Sequence, residues 1–326
     1  MTRTEPDFVM VITSAEDVTA NLVIAALHER QVPIARVDPA DVGTDLTFSA
    51  RLEDGESRWT GRVRTASRNL TLEGARAMYY RRPSAWRFDG LDPQARAFAI
   101  AEARHGLHGL LFNLPDCRYA NHPLCNQRAD YKPAQLQTAA SLGLPIPASL
   151  ITNDLDAAAK FAAEHPAMIY KSFRGVPAVP DGTVAAIWTQ RVDPADLDES
   201  LHVTAHLFQA EIPKSGDARV TVVGERVFAH RITSPAGMLD WRSEDPSALL
   251  HTPIQVPSAV QAALHAYLAR FDLVFGCFDF ALLQDAGEAH QWVFVECNPN
   301  GQWGWLPDSD AIAEAFADTL LKGWHR

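Results

Sequence analysis

A mixed α/β fold, opening as a βαβ unit and continuing as an α+β body, is predicted by three features of the sequence. FVMVIT, Phe8 to Thr13, is a short apolar run, followed by amphipathic periodicity over about Ala15 to Arg30 and by a second strand-like run at VPIARVD. Further along, DARVTVVGERVFAHRI places Gly224-Glu225 between two alternating runs, the pattern of a hairpin. With 47% hydrophobic and 21% charged residues in a chain of 326, there is enough apolar surface for two or three subdomains.

The elements follow in order. After the βαβ opening come strands at 46–52 and 58–64, a third at AMYYRRP (Ala77 to Pro83), and a long helix around Pro93 to Leu111. The first turn reads TSAEDVTA and lacks GxGxxG, so a dinucleotide-binding reading fails where it should succeed. The Pro- and Asn-containing loop PDCRYANHP marks a boundary. A helix is expected from about Ala129 to Leu142, stopped by Gly143 and two prolines, with Lys132 in its first turn. A lysine there opposes the helix dipole, which points either to an anion nearby or to plain solvation. AMIYKSF reads as a strand carrying Lys171, followed by RGVPAVPDG; a strand lysine before a Gly-containing loop resembles a phosphate clamp, a weak signal alone. A strand then runs toward Glu211 and Lys214, and the following hairpin sets Asp217, Arg219 and Thr221 on one face. Helices are expected near 257–270 and 308–322.

Charge and composition exclude some functions. A net charge of −11 argues against a general nucleic-acid surface, so an anionic substrate must be met locally. No basic segment precedes an apolar core at the N-terminus, and no run of about eighteen apolar residues occurs, so a cytoplasmic protein without a membrane partner is expected. The four cysteines lack CxxC spacing and are expected to be free thiols.

The most informative stretch is FVECNPNGQWGW, Phe294 to Trp305. Strand alternation would set Phe294, Glu296 and Asn298 on one face and Val295 and Cys297 on the other. Upstream, FGCFDFALL holds Asp279, and the polar stretch from Asp285 to His290 reads as a hairpin loop, so symmetric pairing puts Asp279 opposite Glu296 within a residue or two. Two facing carboxylates in an apolar sheet repel and each loses several kcal/mol of hydration unless positive charge lies between them. A magnesium ion, which takes carboxylate and amide oxygens and accompanies nucleotide phosphates, is one answer. Separate pairing of each acid with Arg or Lys is the other.

In sequence order, Lys132 before AQL, Lys171 in IYKSFRG, the linker QAEIPK, DARVTVVG, the CFDF strand and ECNPNGQW resemble an ATP-grasp ligase. More narrowly, the opening VMVITSAEDVTANLVIAALHERQVPIARVDPADV, the YYRRP segment and the ending ECNPNGQWGWL are similar to the microviridin-type ribosomal peptide maturases, the graspetide synthetases. The likeness covers almost the whole chain. It departs mildly in the last motif, with Cys297 between Glu and Asn and Asn300 after the proline.

The resemblance implies an ATP-grasp fold behind a Rossmann-like pre-ATP-grasp subdomain, with subdomains over 1–122, 123–208 and 209–326 and ATP between the latter two. Lys132 and Lys171 would reach the phosphates, Glu211 the ribose, and Gln209, Ala210 and Ile212 would form the adenine linker, with Lys214 beside it. Asp279, Glu296 and Asn298 would carry Mg2+, and Arg219 would stand near the γ-phosphate and the incoming carboxylate. The implied reaction activates an Asp or Glu side chain of a ribosomal precursor peptide as an acyl phosphate. A Ser or Thr hydroxyl or a Lys amine then captures it in a ring. A leader segment of the precursor would bind the central subdomain, around residues 193–206. Arg81, Arg82 and Arg87 would meet the acidic core peptide or serve as structural ion pairs, and Trp303 and Trp305 would pack near the site. Family members are often dimers, so a homodimer is among the expectations. A two-substrate carboxylate-amine ligase shares the same ATP site, and a nucleotide-binding module without turnover is a further alternative. Loss of Glu296 or Asn298 is expected to abolish turnover and leave the fold intact.

Overall fold

The computed structural model describes residues 7–174, 187–234, 239–243, 245, 248–283 and 287–324. Most of RGVPAVPDG, and part of the loop between the Asp279 and Glu296 strands, lie outside the described residues.

The opening is the expected βαβ unit. β1 (Phe8–Ile12), α1 (Val18–Glu29) and β2 (Ile34–Val37) lead to a meander of β3 (Thr47–Arg51), β4 (Thr60–Arg64) and β5 (Asn69–Thr71), then β6 (Ala75–Tyr80), α2 (Pro93–Leu111) and β7 (Arg118–Tyr119). β1 lies between β2 and β6 with all pairings parallel, giving the sheet order β2-β1-β6-β7. Burial on both faces explains the unbroken apolar run of β1, since Phe8 to Ile12 are all buried. Asp17 caps α1 by accepting from the Ala20 N–H at 2.9 Å, and Asp92 caps α2 ahead of Pro93.

The helix expected from about Ala129 to Leu142 is α4 (Lys132–Ser141), and a short helix that was not expected, α3 (Pro123–Ala129), precedes it. The chain turns between them at Asp130 and Tyr131, so Lys132 opens α4. There follow β8 (Ser149–Thr152), α5 (Leu155–Glu164), β9 (Met168–Lys171), β10 (Gln190–Arg191) and β11 (His206–Ala210), which form the antiparallel sheet β10-β9-β11-β8. α5 covers this sheet through Ala158 and Ala162, packed with Met168 and Phe208.

The last sheet is the largest. β12 (Gly216–Val223) and β13 (Arg226–Thr233) form the hairpin at Gly224, whose φ of 57° falls in the left-handed region glycine favours. β14 (Leu250–Pro253), α6 (Ser258–Phe271), β15 (Phe275–Leu282), β16 (Trp292–Asn298) and α7 (Ser309–Leu321) complete the chain, in the sheet order β14-β13-β12-β15-β16. One face of this sheet packs on α6 and α4 through Val220, Phe278, Phe280, Tyr267 and Leu136. α7 lies against α1 and joins the N-terminal core, with Phe316 packed among Val11, Tyr79 and Trp303. Two polar side chains tie these parts together. Asn121 donates to the Phe275 and Pro299 carbonyls at 2.9 and 3.0 Å, and Gln135 caps Cys297 by donating to its carbonyl at 2.7 Å and accepting from its N–H at 3.0 Å. All four cysteines are free thiols.

Candidate functional site

The face of the last sheet turned away from α6 carries charge in a single cross-strand row. Glu296 on β16 pairs directly with Asp279 on β15, Asp279 with Arg219 on β12, and Arg219 with His230 on β13. The hairpin pairing and the shared face of Glu296 and Asn298 thus hold, with Cys297 on the other side, but Phe294 does not share that face. A bulge at Val295, where Phe280 pairs with Phe294 one residue past the Asp279 and Glu296 pair, turns Phe294 to the α6 side. There it packs with Cys297, while Glu296 and Asn298 face the site. The skipped residue resets the two-residue period, which no run of apolar letters reveals.

The two acids are met by the chain's own cations. Arg219 Nη1 donates to both Asp279 oxygens at 2.8 and 2.7 Å, and its Nη2 reaches the Gln302 carbonyl at 3.1 Å. Lys132 Nζ donates to Glu296 Oε2 at 2.5 Å and Arg242 Nη1 to Oε1 at 2.9 Å. Asn298 Nδ2 bridges the acids, 3.3 Å from each. The alternative of separate Arg and Lys partners is therefore realised. Lys132, uncomfortable at its helix N-terminus, has Glu296 as the nearby anion. Glu296 and Asp279 are only 5% and 6% exposed, so hydration contributes little and these partners carry the compensation. Burial pushes the Glu296 carboxyl up, but Lys132, Arg242 and Lys171 outweigh it and hold the group well below the usual carboxylate range. Burial raises the Asp279 carboxyl, with Arg219 opposing and Glu296 adding to the rise.

Lys171 ends β9 opposite Leu207 and faces this cluster. Burial, opposed by Glu296 and reinforced by Lys132 and Arg242, lowers its ammonium to about 8. Arg242 and Asp240 were not found from the sequence. Asp240 receives Arg242 Nε and Nη2, each at 2.9 Å, and thereby aims its remaining nitrogen at Glu296. Their place in GMLDWRSED carries no periodic or spacing signal, and the contact to Glu296 spans 54 residues of sequence.

The linker segment is ordered by other contacts. Gln209 is buried and donates to Ser149 Oγ at 2.8 Å. Ala210 ends β11, donating its N–H to Ala148 O, and Ile212 accepts from the Lys214 N–H at 2.8 Å. Glu211 receives Arg191 at 2.6 and 2.7 Å, and that pairing lowers its carboxyl against the pull of burial. Lys214 binds both Asp217 oxygens and the Leu239 carbonyl. Gln209 to Lys214 thus form one strip leading from the central sheet to the last, 20 residues from the arginine that covers Glu211.

Arg81 is not a surface group. It is wholly buried, bonded through Nε to Asp17 at 3.1 Å and through Nη1 to the Gly301 carbonyl at 2.8 Å, so it braces the loop after Asn298 and cannot touch a peptide. Arg82 is exposed on the wall of a cavity of about 1550 Å³. Along that cavity stand Arg82, Arg104, Arg174, Arg219 and Arg242, against Asp130 as the one acid among the described residues of its lining. In a chain of net charge −11, the cationic side chains are concentrated where an acidic ligand would lie. Trp305 lines the cavity, whereas Trp303 is buried and stacks on Phe316 at 5.2 Å.

The donor set suits a hard divalent ion. Asp279, Glu296 and Asn298 offer two carboxylates and an amide side by side, hard oxygen donors of the kind magnesium takes. Among the described residues no group of three or more His, Cys, Asp or Glu gathers.

Residues 8–124 match the family model described as the MvdD pre-ATP grasp domain. Solved structures match nearly the whole chain. A Chryseobacterium gregarium RiPP-associated ATP-grasp ligase, in complex with ADP and a leader and core peptide, is similar with a TM-score of 0.87 and 25% identity over 98% of each chain. Macrocyclase MdnC of Microcystis aeruginosa, bound with precursor peptide MdnA, gives 0.84 and 26% over 96% of this chain and 99% of its own. Macrocyclase MdnB of the same organism gives 0.79 and 28% over 98% and 100%. The chain has the ATP-grasp fold behind an MvdD-type pre-ATP-grasp domain. Its structural relatives are the RiPP-associated ATP-grasp ligases, and the wider likeness extends at fold level to D-cycloserine synthetase DcsG, with a TM-score of 0.59. Curated protein sequences give no match. Among the described residues, no helix of this ATP-grasp chain is long and apolar enough to cross a membrane.

Proposed function

We propose that this chain is an ADP-forming peptide ligase of the cytoplasm that closes macrocyclic esters or amides in a ribosomal precursor peptide. The observation that carries the reading is the continuity of one arginine-lined cavity with the Arg219 and Asn298 end of the acidic cluster. An acidic peptide held along that cavity brings its carboxylates to the place where phosphate and metal chemistry is supported.

The reaction divides between the chain's parts. ATP lies between the regions 123–208 and 209–326, with Lys132 and Lys171 on its phosphates and Glu211 with the Gln209 to Ile212 strip at its nucleoside. A side-chain carboxylate oxygen attacks the γ-phosphorus, the bond to the bridging oxygen breaks, and ADP leaves with the acyl phosphate formed. Arg219 is placed to offset the charge that spreads over the transferring oxygens. A magnesium ion at Asp279, Glu296 and Asn298 would supply further compensation of phosphate charge. A hydroxyl or amine of the same peptide then displaces phosphate from the carbonyl carbon. Because both groups belong to one bound peptide, capture is effectively intramolecular and outruns hydrolysis where water is excluded. The region around residues 193–206, in which Val203 is 85% exposed, is assigned to the leader segment.

The test is the mass of the precursor peptide encoded beside this gene, after incubation with the enzyme, ATP and magnesium. Successive losses of one water, absent without ATP, are expected. ADP release with an unchanged peptide mass favours a two-substrate ligase, and no ADP overturns catalysis of this kind.

A further inference from the structure

Ring closure needs a base. When a hydroxyl or amine of the peptide attacks the acyl phosphate, a proton must leave the attacking atom, and a positioned general base accelerates such a step by about 100- to 10,000-fold. The proton acceptors along the cavity are few, and most are committed elsewhere. Asp130 is paired with Arg174 at 3.0 Å. His105, whose Nδ1–H donates to the Ala101 carbonyl at 2.8 Å, is exposed on α2, where water competes with a substrate for its other nitrogen. His108 stacks on Phe112 at 4.7 Å, and burial together with Arg104 pushes it down to about 4, too weak a base for the task. Asp217 shares the Arg219 face, but both its oxygens are taken by Lys214.

His251 is different. It stands on the edge strand β14, opposite Ile232, and lines the same cavity as Arg219, Arg242 and Asn298. Its ring is fixed at 5.0 Å from Trp305, which lies 5.7 Å from Trp241, so an aromatic wall flanks it. Its Nδ1 is buried and has no hydrogen-bond partner. Burial, and the His230 ring facing it from β13, lower the imidazole below the ordinary histidine range, which favours the neutral form that accepts a proton. His230 in turn has the Asp308 carboxylate 3.4 Å from its Nε2, while Trp241 and Trp305 bring no charge.

We propose that His251 is the general base of ring closure, taking the proton of the attacking hydroxyl or amine within the cavity. The nucleophile's oxygen or nitrogen bonds to the acyl carbon. The carbon–oxygen bond to phosphate breaks with its electron pair on the phosphate, and the imidazolium passes its proton on to that phosphate or to solvent. The aromatic wall keeps water, the competing nucleophile, from the same base. This rests on the ligase reading above.

The experiment compares wild-type, His251→Gln and His251→Phe with the precursor peptide encoded beside this gene, following ADP and peptide mass separately in single turnovers, with melting curves to show folding. The variants are expected to slow ring closure by about 100-fold or more, while activation continues and added hydroxylamine traps the acyl phosphate as a hydroxamate. In wild-type the closure rate should fall in acid, with a limb below the ordinary histidine range that both variants lack. Closure at wild-type rates in folded His251→Phe overturns the assignment. So does an equal loss of ADP formation and closure, which would place His251 in activation. If wild-type forms no ADP with the peptide, the ligase reading fails and this inference falls with it, an outcome distinct from the other two.

Discussion

Glu296 holds more of the fold together than its position as a metal ligand suggests, and Glu296→Gln measures how much. The substitution keeps the volume and removes the charge facing Lys132 at 2.5 Å and Arg242 at 2.9 Å. Breaking a buried ion pair typically costs about 3–5 kcal/mol, because the partner left behind is a buried uncompensated charge. Here two features favour the lower end. The Lys132 and Arg242 side chains are 21% and 38% exposed, and Arg242 keeps its double contact to Asp240. A loss of about 3 kcal/mol is therefore expected, a fall of roughly 5 °C in Tm without nucleotide. Adding Lys132→Met should restore part of it, since the orphaned cation is then gone. Acid should show the same charge from the other side. The folded carboxyl is depressed below its usual 4.5, so its contribution is present above that pH and is lost as pH falls toward the folded value. Glu296→Gln should flatten this acid limb. A Tm within about 1 °C of wild-type, or no rescue by Lys132→Met, would refute the electrostatic account. The expectation of an intact fold on losing Glu296 is revised accordingly: the fold persists, but weakened.

Three further outcomes follow from the same geometry. Because the Lys171 ammonium is lowered to about 8 in the fold, the unfolded chain binds more protons between about 8 and 10.5; wild-type stability should gain from this group as pH rises through that window, and Lys171→Met, compared by melting curves, should lack the gain. Arg81→Met strands Asp17 and the Gly301 carbonyl and should cost about 3 kcal/mol by urea unfolding; wild-type stability with weakened peptide binding would return Arg81 to the substrate surface. A Cβ at position 301 would lie 2.6 Å from Cys277 Cβ and 2.8 Å from its Sγ, so Gly301→Ala must displace the loop after Asn298; lowered turnover with a Tm drop of several degrees is expected, and an unchanged enzyme would show that the loop is free to move.

Local pattern fixed most of the scaffold. The βαβ opening, the 93–111 helix and the Gly224 hairpin were legible because each rests on neighbouring residues: apolar runs, an Asp-Pro helix start, a two-residue turn. The short α3 was hidden, since seven residues are too few for helical periodicity to show, whereas Pro133 in the first turn of α4 fits the helix start read there. In the site, the Asp279 and Glu296 pairing was legible from hairpin symmetry, but the bulge that reverses Phe294 was not, because a bulge changes register without changing composition. Arg242, Asp240, Gln135 and Asn121 were missed for a common reason. Asn121, Gln135 and Arg242 act through contacts to distant segments, such as the 162 residues between Gln135 and Cys297, and Asp240 acts by aiming Arg242; a single sequence holds no trace of such pairings.

Arg242, missed in the sequence, completes with Lys132 and Arg219 the set of cations that lets a cluster of buried acids survive without a nucleotide. Arg219 holds Asp279, and Lys132 with Arg242 holds Glu296, so each carboxylate has a cation of the chain within hydrogen-bonding distance. Under the proposed reading, Lys132, Lys171 and Arg219 are also the groups that meet phosphate. Nucleotide and metal would then enter by exchange, the phosphates drawing the cations from the carboxylates as the divalent ion takes the oxygens released. Each charge leaves one opposite partner for another, and the large desolvation term is met once, in folding, rather than again at each turnover. Arg242 is the member best placed to yield first, being the most exposed cation of the cluster and already secured by Asp240. Arg242→Met should therefore tighten apparent magnesium binding in the presence of ADP, read by calorimetry, because it removes a competitor for Glu296 without removing a ligand. Weaker magnesium binding in that variant would show that Arg242 supports the occupied site, and the exchange would have to begin with Lys132.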